Sequence, residues 1–322
     1  LGFEPSGAVR GGSFMLSRRH FMLLSGLGLL SACGAQPDGI TGPVQTWGKQ
    51  GRRFGEFLRP RAVAVKAGEV YVIDTTGRLQ VFGEDGVFRR SWEIPKPDNG
   101  TPTAITFHEN GRVLVPDTHN SRVLEYTAEG ELLDQWGSYG NGPDQFIYPT
   151  GLAMGPGGEY FLSEYGDGAE RVHVFDANRK FLRQWGSHGE AQGQFNRAMA
   201  IGINSAHEIV VADTANHRVQ CFTTEGAWIR TISDPGTAPG QLKFPHDLTV
   251  GPDDCIYLAE YGTHRISRFA ADGRFVQAYG SAGREPGQFN APRGVAVSES
   301  NRIYVADTDN HRIQAFDAGS VV

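Results

Sequence analysis

Cysteine is scarce, with only Cys33, Cys221 and Cys255 in 322 residues. That excludes a disulfide-built scaffold and any cysteine-rich metal site. Cys221 and Cys255 fall in neighbouring repeats at non-equivalent positions, so two buried free thiols are expected rather than a disulfide. Helical periodicity is missing as well: beyond the first 35 residues no useful length follows a 3.6-residue period. An excess of positive charge is also lacking. Thirty Lys and Arg against 36 Asp and Glu give a net charge of −6, which leaves no general electrostatic footprint for nucleic acid. What abounds is glycine, at 43 residues, lying with proline between short Val, Ile, Tyr and Phe runs. That pattern means many short strands and tight turns.

One phrase returns six times: a β-run, an acidic residue, a short turn, then Arg and a second β-run. Val210-Val211-Ala212-Asp213-Thr214-Ala215-Asn216-His217-Arg218-Val219 is a clear copy. The acidic anchors are Asp74, Asp117, Glu164, Asp213, Glu260 and Asp307, spaced by 43, 47, 49, 47 and 47 residues. Each is followed by an Arg that opens the next strand: Arg78, Arg122, Arg171, Arg218, Arg265 and Arg312. So regular a period marks a repeat architecture. Each unit reads as four short strands. A lone four-stranded meander cannot bury both faces, and stacking such sheets radially around an axis can.

The way the ring closes fixes the blade count. Trp136, Trp185, Ile232 and Tyr279 on fourth strands each lie 13 residues before the opening of the next inner strand. Trp47 stands 13 residues before Pro60 in the same way, yet the sixth unit lacks a fourth strand. Val44–Trp47 is therefore expected to supply it, so that one blade is built from both ends of the domain and hides the sheet edges. The expected fold is an all-β six-bladed β-propeller over residues 44–322. Trp92 to Pro102 is only 10 residues, which predicts a shortened passage from blade 1 to blade 2.

The first 33 residues read as an address. A charged start, a short apolar run and small residues before Cys33 form a signal peptide. Ser17-Arg18-Arg19-His20-Phe21-Met22 resembles a twin-arginine export motif, and Leu30-Ser31-Ala32-Cys33 resembles a lipobox, in which the chain is cut before Cys33 and the thiol is acylated. The expectation is a start at Met15, a leader over residues 1–33, a flexible tether over 34–43, and a lipid-anchored protein exported to the bacterial cell envelope.

Gly287-Gln288-Phe289-Asn290-Ala291-Pro292-Arg293-Gly294-Val295-Ala296-Val297, followed by Ile303 to Gln314, resembles the NHL-repeat family. The resemblance covers residues 44–322 and implies the propeller. It leaves function open, because known members include RNA-binding, protein-binding, sensor and peptide-amidating lyase domains. The lyases place a histidine from each of several inner strands on one zinc. The places matching His246 hold Arg61, Thr103, Thr150, Met199 and Arg293, so that site does not carry over. A lactone-hydrolase-like calcium site needs converging carboxylates, and Asp247 is the only acid at these inner positions.

The repeated polar residues read as framework, since a site that does chemistry is normally unique. His217, His264 and His311, four residues after their anchors, belong to third-strand turns too far from the axis to share an ion. Variation from blade to blade points instead to the residues that open the inner strands. Arg61 and Arg293 flank the closure, His246 is next to Arg293, and Asp247 could orient His246 or bind a cation. Blades 3 and 5 replace Asp-Thr by Glu-Tyr, placing Tyr165 and Tyr261 at the same rim. Arg61, His246, Asp247, Arg293, Tyr165 and Tyr261 are thus the candidate ligand-binding set, suited to a carboxylate, phosphate or sugar acid. No catalytic residue, metal or cofactor is assigned. The expected function is a monomeric binding scaffold for a protein, carbohydrate or small anion, touching the membrane through its lipid alone and not binding nucleic acid. The alternative is a propeller enzyme acting at the channel mouth.

Overall fold

The computed structural model describes residues 39, 40, 42–96 and 99–319. They form a six-bladed β-propeller whose blades are four-stranded antiparallel sheets. Blades 1 to 5 span residues 60–93, 106–136, 148–185, 198–232 and 245–279; blade 6 runs from 294 to 317. Its fourth strand is Gln45–Trp47, paired antiparallel with Arg312–Asp317 through Gln45↔Ala315, Thr46↔Gln314 and Trp47↔Ile313.

The core is divided into six apolar wedges, one between each pair of neighbouring blades. Second and third strands bury both faces, as in Val113–Asp117 and Ile209–Asp213, because each sheet is stacked on two others. Phe57, Phe146, Phe195 and Phe289, from the loop that enters each inner strand, are fully buried in the wedges. A glycine makes room for each ring. Gly186 has φ +103°, and a Cβ there would lie 2.7 Å from the Phe195 ring. Cys221 belongs to the wedge between blades 4 and 5 and Cys255 to the one between blades 5 and 6, and both thiols are free.

The anchors are parts of the frame. Asp213 accepts hydrogen bonds from Asn196 N–H (2.7 Å), Asn216 Nδ2 (2.9 Å), Arg218 Nε (2.7 Å) and Gln220 Nε2 (3.2 Å). Every blade repeats the ion pair between its anchor and the Arg that opens its third strand. Blades 4, 5 and 6 also grip the blade that follows. Thr214 Oγ1 donates to Pro245 O (2.6 Å) and His217 Nδ1 accepts from Phe244 N–H (3.1 Å). Thr308 Oγ1 donates to Pro60 O (2.7 Å) and His311 Nδ1 accepts from Arg59 N–H (3.0 Å), across the closure. His264 does the same for Ala291 N–H (2.9 Å). The three repeated histidines thus serve three separate joints.

Blade 2 departs from its neighbours. Its inner strand is only Thr106–Phe107, in line with the short connection before it. The export signature and Cys33 lie outside the described residues, as do residues 34–38 and 41 of the segment read as a tether. Within that segment, however, Gly39 O accepts a hydrogen bond from Gln277 Nε2 (2.9 Å) and Ile40 packs with Val44 on the wedge between blades 5 and 6. Packing onto the propeller therefore begins before Val44.

Candidate functional site: the channel mouth

A β-bulge aims the site residues. In blades 1, 3, 4 and 5 the pairing of the first two strands skips one residue, between Pro60 and Ala62, Pro149 and Gly151, Ala198 and Ala200, and Pro245 and Asp247. The skipped residues are Arg61, Thr150, Met199 and His246. A bulged residue leaves the ladder and its side chain is redirected. The following residues return to register and line the channel, a cavity of about 500 Å³ between the six inner strands.

Thr150 is consumed by the frame: its Oγ1 lies 3.1 Å from Ser163 Oγ and 2.5 Å from Ala198 O in blade 4. His246 makes the corresponding bond, from Nδ1 to Arg293 O (3.1 Å) in blade 6. A carbonyl only accepts, so Nδ1 carries the proton and Nε2 carries a lone pair. That Nε2 has no partner among the described residues. Burial, with Arg293, Arg61 and Arg197 nearby, pushes the His246 imidazole down to about 3. It is neutral at physiological pH.

Arg197, Met199, Thr214, Ala215, Phe244, His246, Tyr261 and Arg293 enclose a cavity of about 260 Å³ at the mouth. The Arg293 guanidinium carbon stands 4.9 Å from the Tyr261 ring centroid, and that of Arg197 5.0 Å from Tyr165. These stacks occupy the joints where Tyr replaces the Thr of the other blades. Arg61 lies beside this cavity: burial and the adjacent Arg293 and Arg59 charges lower its pKa. His119 continues the rim, its ring 5.5 Å from Tyr148, which lies 5.3 Å from Tyr165.

Among the described residues, Arg61, Arg197 and Arg293 make no ion pair and no side-chain hydrogen bond, whereas every third-strand Arg has its anchor. Arg293 Nε is moreover buried without a partner. Three like charges that no carboxylate offsets among the described residues, beside a neutral imidazole, give this mouth a positive field.

Of the six predicted residues, His246, Arg293 and Tyr261 line one cavity, with Arg61 and Tyr165 next to it. Asp247 lies elsewhere. It faces the channel beneath, where its two oxygens accept from Leu248 N–H and Val295 N–H (both 2.9 Å). Burial raises its carboxyl to about 7 against those two donors. Its carboxylate makes no hydrogen bond to His246 and lies outside the mouth cavity. Sequence reasoning missed Arg197 and Phe244. Both precede the inner strand with left-handed backbone (φ 60° and 50°), as do Arg59 and Ala291. Their signal was register, two residues before Met199 and His246, but a left-handed position held by a non-glycine residue is not legible in sequence. No group of three or more metal-binding side chains occurs among the described residues.

Two segments, residues 195–222 and 289–316, match the NHL repeat. Both contain the entry-loop Phe, the inner strand and the anchor with its Arg. No curated protein matches the sequence. Solved structures with the same fold include a virginiamycin B lyase from Staphylococcus aureus (16% identity, TM-score 0.59, covering 85% of this chain and 99% of that one). A protein of unknown function from Bacteroides thetaiotaomicron (12%, 0.67, 85% and 76%) and a gluconolactonase-like propeller (12%, 0.62, 87% and 94%) share it too. At such identities the likeness is one of fold.

Proposed function

We propose that this is an exported, lipid-anchored NHL propeller whose channel mouth binds a small organic anion. The observation that carries the reading is the convergence of Arg61, Arg197 and Arg293, without carboxylate partners among the described residues, on the neutral His246. A carboxylate entering there replaces guanidinium repulsion by charge-assisted hydrogen bonds, each worth about 1.5–3 kcal/mol. The leader motifs support the location; a diacylglycerol mass on Cys33 of the mature chain, absent after Cys33→Ala, tests it.

The binding claim is tested by calorimetric titration with a panel of carboxylates at low salt. Arg293→Gln should weaken binding roughly 10- to 100-fold, about 1.4 kcal/mol per decade, and added salt should weaken it in the parent. The same substitution should leave the thermal midpoint of the ligand-free protein unchanged or raise it, because it removes a like charge. Binding that is indifferent to the Arg61→Gln, Arg293→Gln double variant would sink the reading. His246 should add nothing to the pH profile of binding from about pH 5 to 8, where an inflection near 7 belongs to Asp247 in the channel beneath. With its folded pKa pushed to about 3, below the ordinary value of 6.5, His246 does not titrate in that window. Binding that fell away above pH 6.5, and still did so in Asp247→Asn, would mean a protonated imidazole was holding the anion.

His246 also favours a second reading, catalysis at the same mouth, since a neutral imidazole with an open Nε2 can act as a general base. A lyase and a gluconolactonase-like protein share the fold. That reading gains if His246→Ala lowers the turnover of a bound anion far more than its affinity while leaving the thermal midpoint in place.

A further inference from the structure

The mouth cavity has two chemically different halves. Arg293 and His246 form one. Met199, Phe244, Tyr261 and Ala215 form the other, with Met199 buried and Phe244 and Tyr261 each more than a third exposed. Phe244 is held upright by the His217 ring at 4.2 Å, nearly perpendicular to it. The Arg293–Tyr261 stack joins the two halves, so a charge bound by Arg293 sits at the border of the apolar wall. Inorganic phosphate or a polyhydroxylated acid would satisfy the guanidinium but leave that wall against water. His246 adds one requirement. Its Nδ1 proton is committed to Arg293 O, so toward the ligand it can only accept. The ligand must present an N–H or O–H donor close to its anionic group.

Resting on the anion-binding reading above, we infer that the mouth takes the carboxylate of an N-acylated apolar α-amino acid. The carboxylate binds at Arg293 and Arg61, the amide N–H donates to His246 Nε2, and the side chain lies among Met199, Phe244 and Tyr261. The cavity of about 260 Å³ holds one such residue, and its open side lets the acyl group continue outward. A free N-acyl amino acid and a peptide C-terminus share this chemistry.

The test is calorimetric titration of the full chain with N-acetyl-L-phenylalanine and four relatives. 3-Phenylpropionate lacks the amide, N-acetylglycine lacks the side chain, N-acetyl-L-phenylalaninamide lacks the charge, and galacturonate is a sugar acid. N-acetyl-L-phenylalanine should bind best, at least tenfold ahead of each. Met199→Ala and Phe244→Ala should narrow its lead over N-acetylglycine, and His246→Ala its lead over 3-phenylpropionate. A decapeptide ending in Phe distinguishes the sources. Tighter binding than N-acetyl-L-phenylalanine assigns the site to peptide C-termini, and exclusion assigns it to the free compound. Galacturonate or N-acetylglycine binding as tightly, still sensitive to Arg293→Gln, would overturn the inference and leave the anion site standing. If none of the carboxylates bound, both would fall.

Discussion

Deleting residues 39–47 should abolish the soluble folded monomer. Gln45–Trp47 is a short strand, but among the described residues it is the only partner of the outer edge of Arg312–Asp317. Trp47 packs at 6.2 Å from both Phe82 and Tyr304, so it bridges blades 1 and 6. Removing it uncovers the wedge that holds Phe57, Tyr304, Ile313 and Ala315, all fully buried. Losing a large aromatic from such a contact costs about 3–5 kcal/mol where burial is complete. Here the loss also leaves a row of unpaired backbone groups beside exposed apolar surface, the standard template for edge-to-edge association. Size-exclusion chromatography with light scattering and far-ultraviolet circular dichroism should show aggregates or an unfolded chain. A monomer with a thermal midpoint within a degree or two of the parent would show that closure contributes little.

Asp213→Ala should be the most damaging single substitution among the repeated residues, at roughly 3–5 kcal/mol by urea denaturation. The carboxylate is fully buried and has four donors, one of them the Arg218 guanidinium. Burial nonetheless raises its pKa, outweighing the bonds from Asn196, Asn216 and Arg218. The pair is therefore no large net gain over two solvated ions. Breaking it is costly for a different reason: Arg218, Asn216 and Gln220 are left pointing at a void, and the Asn196 N–H that positions the inner strand loses its acceptor. Arg218→Gln should be milder, because its remaining bonds to Ala191 O and Gln194 O sit near solvent. If Asp213→Ala cost under 1 kcal/mol, the anchors would not be structural and their repetition would need another account.

The fold was legible because its determinants are local and repeated. Anchor, Arg, entry-loop Phe and turn glycine recur at one period, and the displaced Trp47 revealed the closure. The site was legible only in part. Arg61, His246 and Arg293 could be found because they break the pattern at one register position. Tyr165 and Tyr261 could be found because Glu-Tyr replaces Asp-Thr. Asp247 was misplaced at the mouth because consecutive strand residues point to opposite sides, and a bulge at His246 changes where each goes. Arg197 and Phe244 escaped because their placement depends on backbone torsions that no glycine marks. Which arginines lack a counter-charge is a property of three-dimensional neighbours, and no spacing rule reports it.

The clasp between blades 6 and 1 uses the same atoms as the one between blades 4 and 5: a threonine hydroxyl on a carbonyl and a histidine nitrogen on a backbone amide. Mechanically the closing joint of the ring is built like a joint inside the chain. The genetic order of its sectors is one of several that would build the same object, and a gene permuted to open at another blade would still have to supply each hinge pin from one sector to the next. The opening of the ring falls inside the sheet of blade 6, between Gln45–Trp47 and Arg312–Asp317, and not at a clasp.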